Sequence, residues 1–178
     1  LELEPEDLHE DIAGDRIARA VAGEGLEVKG PIQSRFNLVA NRKGLLRVAP
    51  ELVRAVNGVQ SVTVFTLLDR QTVLPGKVVA GVKITPIAIS AELVEQVERI
   101  TSDSRQPLIC VRGFERRKVA VVATEGLNER MRSRFREMVE RKISWYGSEV
   151  ISVEFVDADS AAVAAAFERG LVNGADVL

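Results

Sequence analysis

A stripe of aliphatic residues near the start of the chain recurs at helical spacing. The stripe runs through residues 6–22 and consists of Leu8, Ile12, Ile17 and Val21. Apolar residues at this spacing form the buried face of an amphipathic helix. Gly23 and Gly25 follow, and glycine commonly ends a helix. The pattern therefore predicts a helix over residues 6–22.

Short runs rich in valine, isoleucine and threonine dominate the next part of the chain. Glycine, proline and asparagine separate these runs, which is typical of strands joined by turns. The predicted strands cover residues 26–28, 36–40, 45–48, 61–68 and 78–84. Pro50 favours the first turn of a short helix over 50–57, and Ser90 favours the cap of another over 91–100.

After a polar segment at 101–107, strand and helix patterns alternate. Strands are predicted at 119–123, at 150–156 and from 175 onward, and helices at 127–144 and 160–172. The first of these helices is expected to turn a set of apolar residues inward: Leu127, Met131, Phe135, Met138, Val139 and Ile143. Alternation of this kind predicts a parallel sheet with right-handed crossovers.

The predicted fold class is therefore α/β with two parts. Residues 1–104 form a small helix plus β-rich module. Residues 105–178 form an incomplete three-layer α/β/α parallel-sheet domain, with the polar segment as the linker between the two parts.

Composition narrows the range of functions. The net charge of −2 argues against a general nucleic-acid partner. A chain with this net charge can still have local basic patches. The single cysteine, Cys110, excludes an internal disulfide and fits a cytoplasmic location. With one histidine, His9, the chain does not supply a zinc site rich in histidine or cysteine. No apolar run is long enough for a membrane span, so no membrane partner is expected.

The polar turn after the first predicted parallel strand is the strongest candidate binding site. Thr124, Glu125 and Gly126 lead through Leu127 to Asn128. In open α/β sheets, ligands bind beyond the carboxyl ends of the strands, where helix N-termini attract anions. Thr124 supplies a hydroxyl and Gly126 permits close approach of the backbone. The alternative is an ordinary turn in which Asn128 caps the next helix.

Two groups of basic residues lie near this turn in the sequence. Arg130 and Arg134 stand one helical turn apart and are candidates to reach an anion held by the loop. A second cluster spans residues 112–118. For that cluster, a solvated loop between the two parts is favoured over a phosphate-binding rim.

The run from Lys118 to Gly126, followed by a long helix, resembles the opening of the molybdopterin-binding (MoCF biosynthesis) domain family. Thr124-Glu125-Gly126 stands where that family commonly has Thr-Gly-Asp-Glu. Residues 165–178 resemble the helix and strand that precede the family's second glycine-rich motif. Four further stretches are similar to proteins related to molybdopterin molybdenumtransferases: 11–18, 35–38, 44–48 and 75–84.

The resemblance implies binding of molybdopterin, or of a related pterin phosphate or nucleotide derivative, in biosynthesis or delivery of the molybdenum cofactor. It carries over Thr124, Glu125, Gly126 and Asn128 as cofactor-binding residues. It assigns no catalytic residue and no metal ligand. Active members of the family use Mg²⁺, which is therefore an expected cofactor.

Two other functions stay open. The β-rich segment 26–86 could dock on a molybdoenzyme or a maturation factor as a non-catalytic module. The chain could also belong to a molybdenum- or nucleotidyl-transferring enzyme whose carboxyl-terminal half follows residue 178. It lacks an initiator methionine and stops within a predicted strand, so both ends are expected to be cut. An unfinished sheet exposes an apolar edge, which predicts either a homodimer or further residues beyond this chain.

Overall fold

The computed structural model describes residues 6–85 and 87–178, and the chain divides into two units. The first unit ends at Gly113 and the second begins at Phe114. Helices and strands occur in both, which confirms the α/β class. The expectation about the chain's beginning rests on residues 1–5, which lie outside the described residues.

The first unit contains strands from three sheets and three helices. Its strands are β1 (Asp7–His9), β2 (Leu26–Ile32), β3 (Arg35–Ala40), β4 (Gly44–Val48), β5 (Val62–Thr66), β6 (Thr72–Val73), β7 (Val78–Ile84), β8 (Ala88–Ser90) and β9 (Ile109–Gly113). Its helices are α1 (Glu10–Val21), α2 (Pro50–Asn57) and α3 (Ala91–Ser102). A four-stranded antiparallel sheet has the order β2-β3-β7-β5, a three-stranded sheet has the order β6-β4-β9, and β1 pairs with β8.

Helix α1 begins later than the sequence pattern predicts. Residues 7–9 form a strand instead, because they pair with β8 in an antiparallel register. His9 then caps the helix, with its Nδ1 accepting a hydrogen bond from the backbone N–H of Asp11 at 3.2 Å. Ile17 and Val21 are buried as predicted, whereas the Ile12 side chain is 55% exposed.

The boundary between the units lies after Gly113, and not after residue 104. Strand β9 returns to the first unit and pairs along its whole length with β4. Its residues Ile109 and Val111 are fully buried in the core of that unit. The polar segment at 101–107 therefore joins α3 to a strand of the same unit. Cys110 lies in the same strand and is buried.

Asn57, the last residue of α2, forms two side-chain hydrogen bonds with the backbone of β5, which is an edge strand of its sheet. Its side-chain Nδ2 donates to the carbonyl oxygen of Val64 at 2.9 Å, and its Oδ1 accepts from the N–H of Val64 at 2.7 Å. Both backbone groups of Val64 are thus satisfied on the side of β5 that faces away from β7. The contact fixes α2 against the four-stranded sheet.

Asp69 links the end of β4 to the segment between β5 and β6. Its Oδ1 accepts from the backbone N–H of Val48 at 2.8 Å and from Nε of Arg47 at 3.2 Å. The Val48 N–H, reinforced by the Arg47 guanidinium, holds the pKa of the Asp69 carboxyl below its ordinary value of 3.8.

We expect Asp69→Asn to remove an acid-sensitive part of the protein's stability. Because the pKa of Asp69 is lower in the folded state than in the unfolded state, its stabilisation is complete above the unfolded value and disappears as the pH falls through the folded value. The midpoint of urea unfolding should therefore drop in the variant at neutral pH and converge with that of the parent protein in acid. Asp103→Asn, which changes an exposed acid at the end of α3, serves as the control. A constant gap between Asp69→Asn and the parent at every pH would contradict the assignment.

The second unit is a parallel βαβα arrangement. It consists of β10 (Lys118–Ala123), α4 (Glu129–Trp145), β11 (Glu149–Phe155) and α5 (Ser160–Val172). Strands β10 and β11 pair in parallel, as predicted, with α4 against β11 and α5 against β10. The predicted third strand is reduced to a single parallel bridge between Val119 and Val177.

The apolar side of α4 is only partly buried. Phe135, Val139 and Ile143 are half-buried, but Met131 and Met138 are 49% and 47% exposed. The prediction that both methionines point inward was therefore wrong. They lie toward one flank of the helix, beside the face that contacts β11.

Candidate functional site

A cleft lies at the carboxyl edge of the two parallel strands in the second unit. The strands remain paired to their ends, where the N–H of Val156 donates to the carbonyl oxygen of Ala123 at 3.0 Å. Beyond this bond the β10–α4 and β11–α5 loops diverge and enclose about 350 Å³. The lining residues are Thr124, Glu125, Gly126, Arg132, Phe155, Val156, Asp157, Ala158 and Ala162.

Three of the four residues predicted to bind a cofactor line this cleft. Thr124, Glu125 and Gly126 form one wall of it. Asn128 does not line the cleft. Its side-chain Oδ1 accepts a hydrogen bond from the N–H of Met131 at 3.0 Å, so it caps α4. Asn128 therefore has the capping role that the sequence left open as an alternative.

Gly126 leaves the cleft open without being required by the fold. A Cβ atom added at this position would meet no other atom within 4 Å. The loop backbone at Gly126 can therefore be approached closely by a ligand. A larger residue here would therefore meet no protein atom at its Cβ, and it would hinder close approach to the loop backbone.

Arg132 is the cation of the cleft, and sequence reasoning did not select it. Its Nε donates to the carbonyl oxygen of Leu127 at 2.9 Å, and its guanidinium carbon lies 5.0 Å from the centroid of the Phe155 ring. These two contacts fix a positive charge at the mouth of the loop. Arg130 and Arg134, the predicted candidates, are exposed and do not line the cleft.

The opposite wall of the cleft is acidic at its rim. Asp157 lines the cleft opposite Glu125. Asp159 caps α5, with its two carboxylate oxygens accepting from the N–H groups of Ala161 at 2.9 Å and Ala162 at 3.1 Å. The N-terminus of α5 is therefore already neutralised by a carboxylate. The positive charge that the cleft offers an anion is that of Arg132, beside the wall formed by Thr124, Glu125 and Gly126.

The basic cluster at 112–118 is divided between the two units. Arg112 belongs to β9, whereas Arg116 and Lys118 border a second cleft of about 340 Å³ at the amino ends of β10 and β11. Arg117 forms an ion pair with Glu115. Because ligands of open α/β sheets bind at the carboxyl edge, the position of this second cleft supports the solvated-loop interpretation.

Within residues 6–85 and 87–178, no three histidine, cysteine, aspartate or glutamate side chains come together in a metal-binding arrangement. In the same ranges, no helix combines the length and apolar character that a bilayer crossing demands.

Comparison with known proteins does not extend these observations. No protein-family model matches the chain, and no curated protein or solved structure matches it either.

Proposed function

We propose that the cleft at the carboxyl edge of β10 and β11 binds molybdopterin or a related pterin phosphate, in biosynthesis or delivery of the molybdenum cofactor. One observation carries the proposal. Residues Thr124 to Gly126, which resemble the family's binding loop, line a cleft together with the fixed guanidinium of Arg132.

The chemistry of the cleft suits the phosphate of a phosphorylated ligand. The Thr124 hydroxyl, the backbone around Gly126 and the Arg132 guanidinium offer hydrogen bonds and positive charge to phosphate oxygens. The Phe155 ring also lines the cleft, where the guanidinium carbons of Arg132 and Arg136 lie 5.0 and 5.1 Å from its centroid. The volume of about 350 Å³ lies at the lower end of the range for small-molecule sites.

Mg²⁺ fits the same cleft as a partner of the ligand. It is commonly held in proteins by one or two carboxylates together with substrate phosphates. Glu125 and Asp157 are the two carboxylates that line this cleft. They would hold the ion, and Mg²⁺ would offset the charge that a phosphate brings close to them.

The binding test uses the whole chain and a substitution in the loop that lines the cleft. Gly126→Val should weaken binding of molybdopterin, or of a phosphorylated pterin analogue, because its side chain hinders approach to the loop backbone that lines the cleft and its Cβ meets no protein atom. Thr124→Ala and Arg132→Gln should each weaken binding about tenfold, the expected effect of losing one hydrogen bond to a charged group. Titration calorimetry with and without Mg²⁺ measures both effects.

Arg134→Gln is the matched control, since it removes the same charge from an exposed position on the same helix. It should bind like the parent protein. Unchanged binding in Gly126→Val and Thr124→Ala would sink the site assignment. An effect of Arg134→Gln equal to that of Arg132→Gln would show that only overall charge matters.

A further inference from the structure

Helix α4 carries a row of exposed apolar side chains along one flank. Met131, Met138 and Trp145 are 49%, 47% and 42% exposed. They follow one another at intervals of seven residues in the helix. Seven residues make almost two full turns of an α-helix, so the three side chains lie in one line that is about 21 Å long. This line is called the apolar row below.

The apolar row ends in a shallow depression on the surface of the second unit. The depression has a volume of about 400 Å³, and its lining residues are Met138, Arg141, Lys142, Trp145 and Tyr146. The Tyr146 ring packs edge-on against Trp145, with centroids 4.9 Å apart, and against Phe114 at 5.1 Å. These ring contacts fix two aromatic walls. The depression is therefore shaped to receive a protruding apolar side chain.

Cations border the apolar row on both sides. Arg134 and Arg141 follow one side, again seven residues apart, and Lys142 lies on the other side. All three are exposed, and within the part of the chain that the structure describes none of them forms an ion pair or a side-chain hydrogen bond. The acids of the helix lie at least about 100° around its axis from Met138; they are Glu129, Glu137 and Glu140. The row is therefore apolar with basic borders.

This pattern identifies the chemistry of the molecule that would cover the row. A second copy of α4 does not fit, because both borders are basic and two rows packed together would place cations beside cations. A partner helix with apolar residues at the same seven-residue interval can pack along the row. Carboxylates beside those apolar residues would pair with the cations of the borders.

We infer that the apolar row docks an acidic amphipathic helix of a partner protein. One apolar side chain of the partner enters the depression beside Met138 and Trp145, and others lie along the row toward Met131. Carboxylates of the partner pair with Arg134 and Arg141. The methionines suit such a surface, since their flexible and polarizable side chains adapt to a bound helix. The inference is independent of the pterin cleft, which shares no lining residue with the depression.

The test measures binding of the full chain to a designed acidic helix. The probe is a fluorescein-labelled peptide of about 20 residues with leucine at heptad positions a and d, glutamate at e and g, and alanine elsewhere. Fluorescence anisotropy should rise with this peptide and not with a matched peptide that has lysine in place of glutamate. Trp145 is the only tryptophan of the chain. Its emission should therefore shift to shorter wavelength when the unlabelled acidic peptide covers it.

Substitutions in the row and its borders test the contacts separately. Met138→Asp should weaken peptide binding at least about tenfold, because it replaces an apolar contact by a charge that repels the carboxylates. Met138→Leu keeps an apolar side chain and should retain binding. Arg141→Glu should also weaken binding at least about tenfold. Arg54→Glu makes the same charge change at an exposed position of α2 and should bind like the parent protein. Thermal unfolding confirms that each variant is folded.

Four results would overturn the inference. One is the absence of any anisotropy change or emission shift with the acidic peptide at millimolar concentration. Another is equal affinity for the two peptides, or equal affinity of folded Met138→Asp and the parent protein for the acidic one. A Trp145 emission shift with phosphatidylserine-containing vesicles and none with the acidic peptide would assign the row to a membrane surface. A dimer that light scattering detects in the parent protein and not in Met138→Asp would assign it to a second copy.

Discussion

Residues 1–113 produced as a fragment should fold cooperatively, whereas residues 1–104 should not. The shorter fragment lacks β9 and with it Leu108, Ile109 and Val111, each at most 2% exposed. Burial of three such side chains contributes roughly 5–9 kcal/mol. That amount is comparable to the whole free energy of unfolding of an ordinary domain, about 5–15 kcal/mol.

Circular dichroism and urea unfolding of the two fragments measure this difference. The 1–113 fragment should show a single sharp transition, and the 1–104 fragment a gradual one or none. Equal midpoints and equal cooperativity in the two fragments would show that β9 is dispensable and would return the boundary to the polar segment at 101–107.

Gly44→Ala should destabilise the first unit by about 3 kcal/mol, at the upper end of the usual range for overpacked positions. Gly44 opposes Gly113 in the β4–β9 pair. A Cβ atom at Gly44 would overlap the carbonyl oxygen of Arg112 and would lie 2.9 Å from Cγ1 of Val111. Because the first obstacle is backbone, the two strands must separate to accommodate the methyl group.

Gly113→Ala is the matched control in the same residue pair. Its Cβ atom would lie 3.8 Å from Cδ of Arg42, which is an ordinary contact. The free energy of unfolding should therefore change by less than about 0.5 kcal/mol. Chemical denaturation of both variants provides the comparison. Similar losses in the two variants would mean that the conformational freedom of glycine, and not the close approach of the strands, governs this pair.

The elements whose bounds were predicted well have residues at their own ends that favour the start or the end of a helix or strand. Pro50 and Asn57-Gly58 mark the two ends of α2, and the structure places that helix at Pro50–Asn57. The predicted strand at 78–84 and the predicted helix at 160–172 also match β7 and α5. In each case neighbouring residues in the chain determine where the element starts and stops.

The elements that the sequence pattern misplaced depend on pairing with strands that are distant in the chain. Residues 7–9 continue a helical pattern, yet they form β1 because β8 supplies hydrogen bonds from another part of the chain. Strand β9 follows a polar segment that is typical of a linker, and only its pairing with β4 assigns it to the first unit. Local patterns contain no information about such partners.

In the candidate site, too, some residues could be predicted from the local sequence and others are placed by contacts with distant parts of the chain. Thr124, Glu125 and Gly126 could be predicted because a loop at the carboxyl end of a parallel strand has a fixed place in the topology. Arg132 could not be chosen among several arginines on one helix, since its selection depends on the loop carbonyl and the Phe155 ring. Phe155 and Asp157 enter the cleft only through the neighbouring strand, β11.

The two hydrogen bonds between the Asn57 side chain and the Val64 backbone affect how the protein can self-associate. Strand β5 is an outer strand of its sheet, and such strands recruit strands from other molecules through unpaired backbone groups. The Asn57 amide occupies the N–H and the carbonyl of Val64 at the middle of β5. An incoming strand would have to displace both bonds before it could align. Asn57 thus acts as a built-in barrier to fibril-like growth from this side of the sheet.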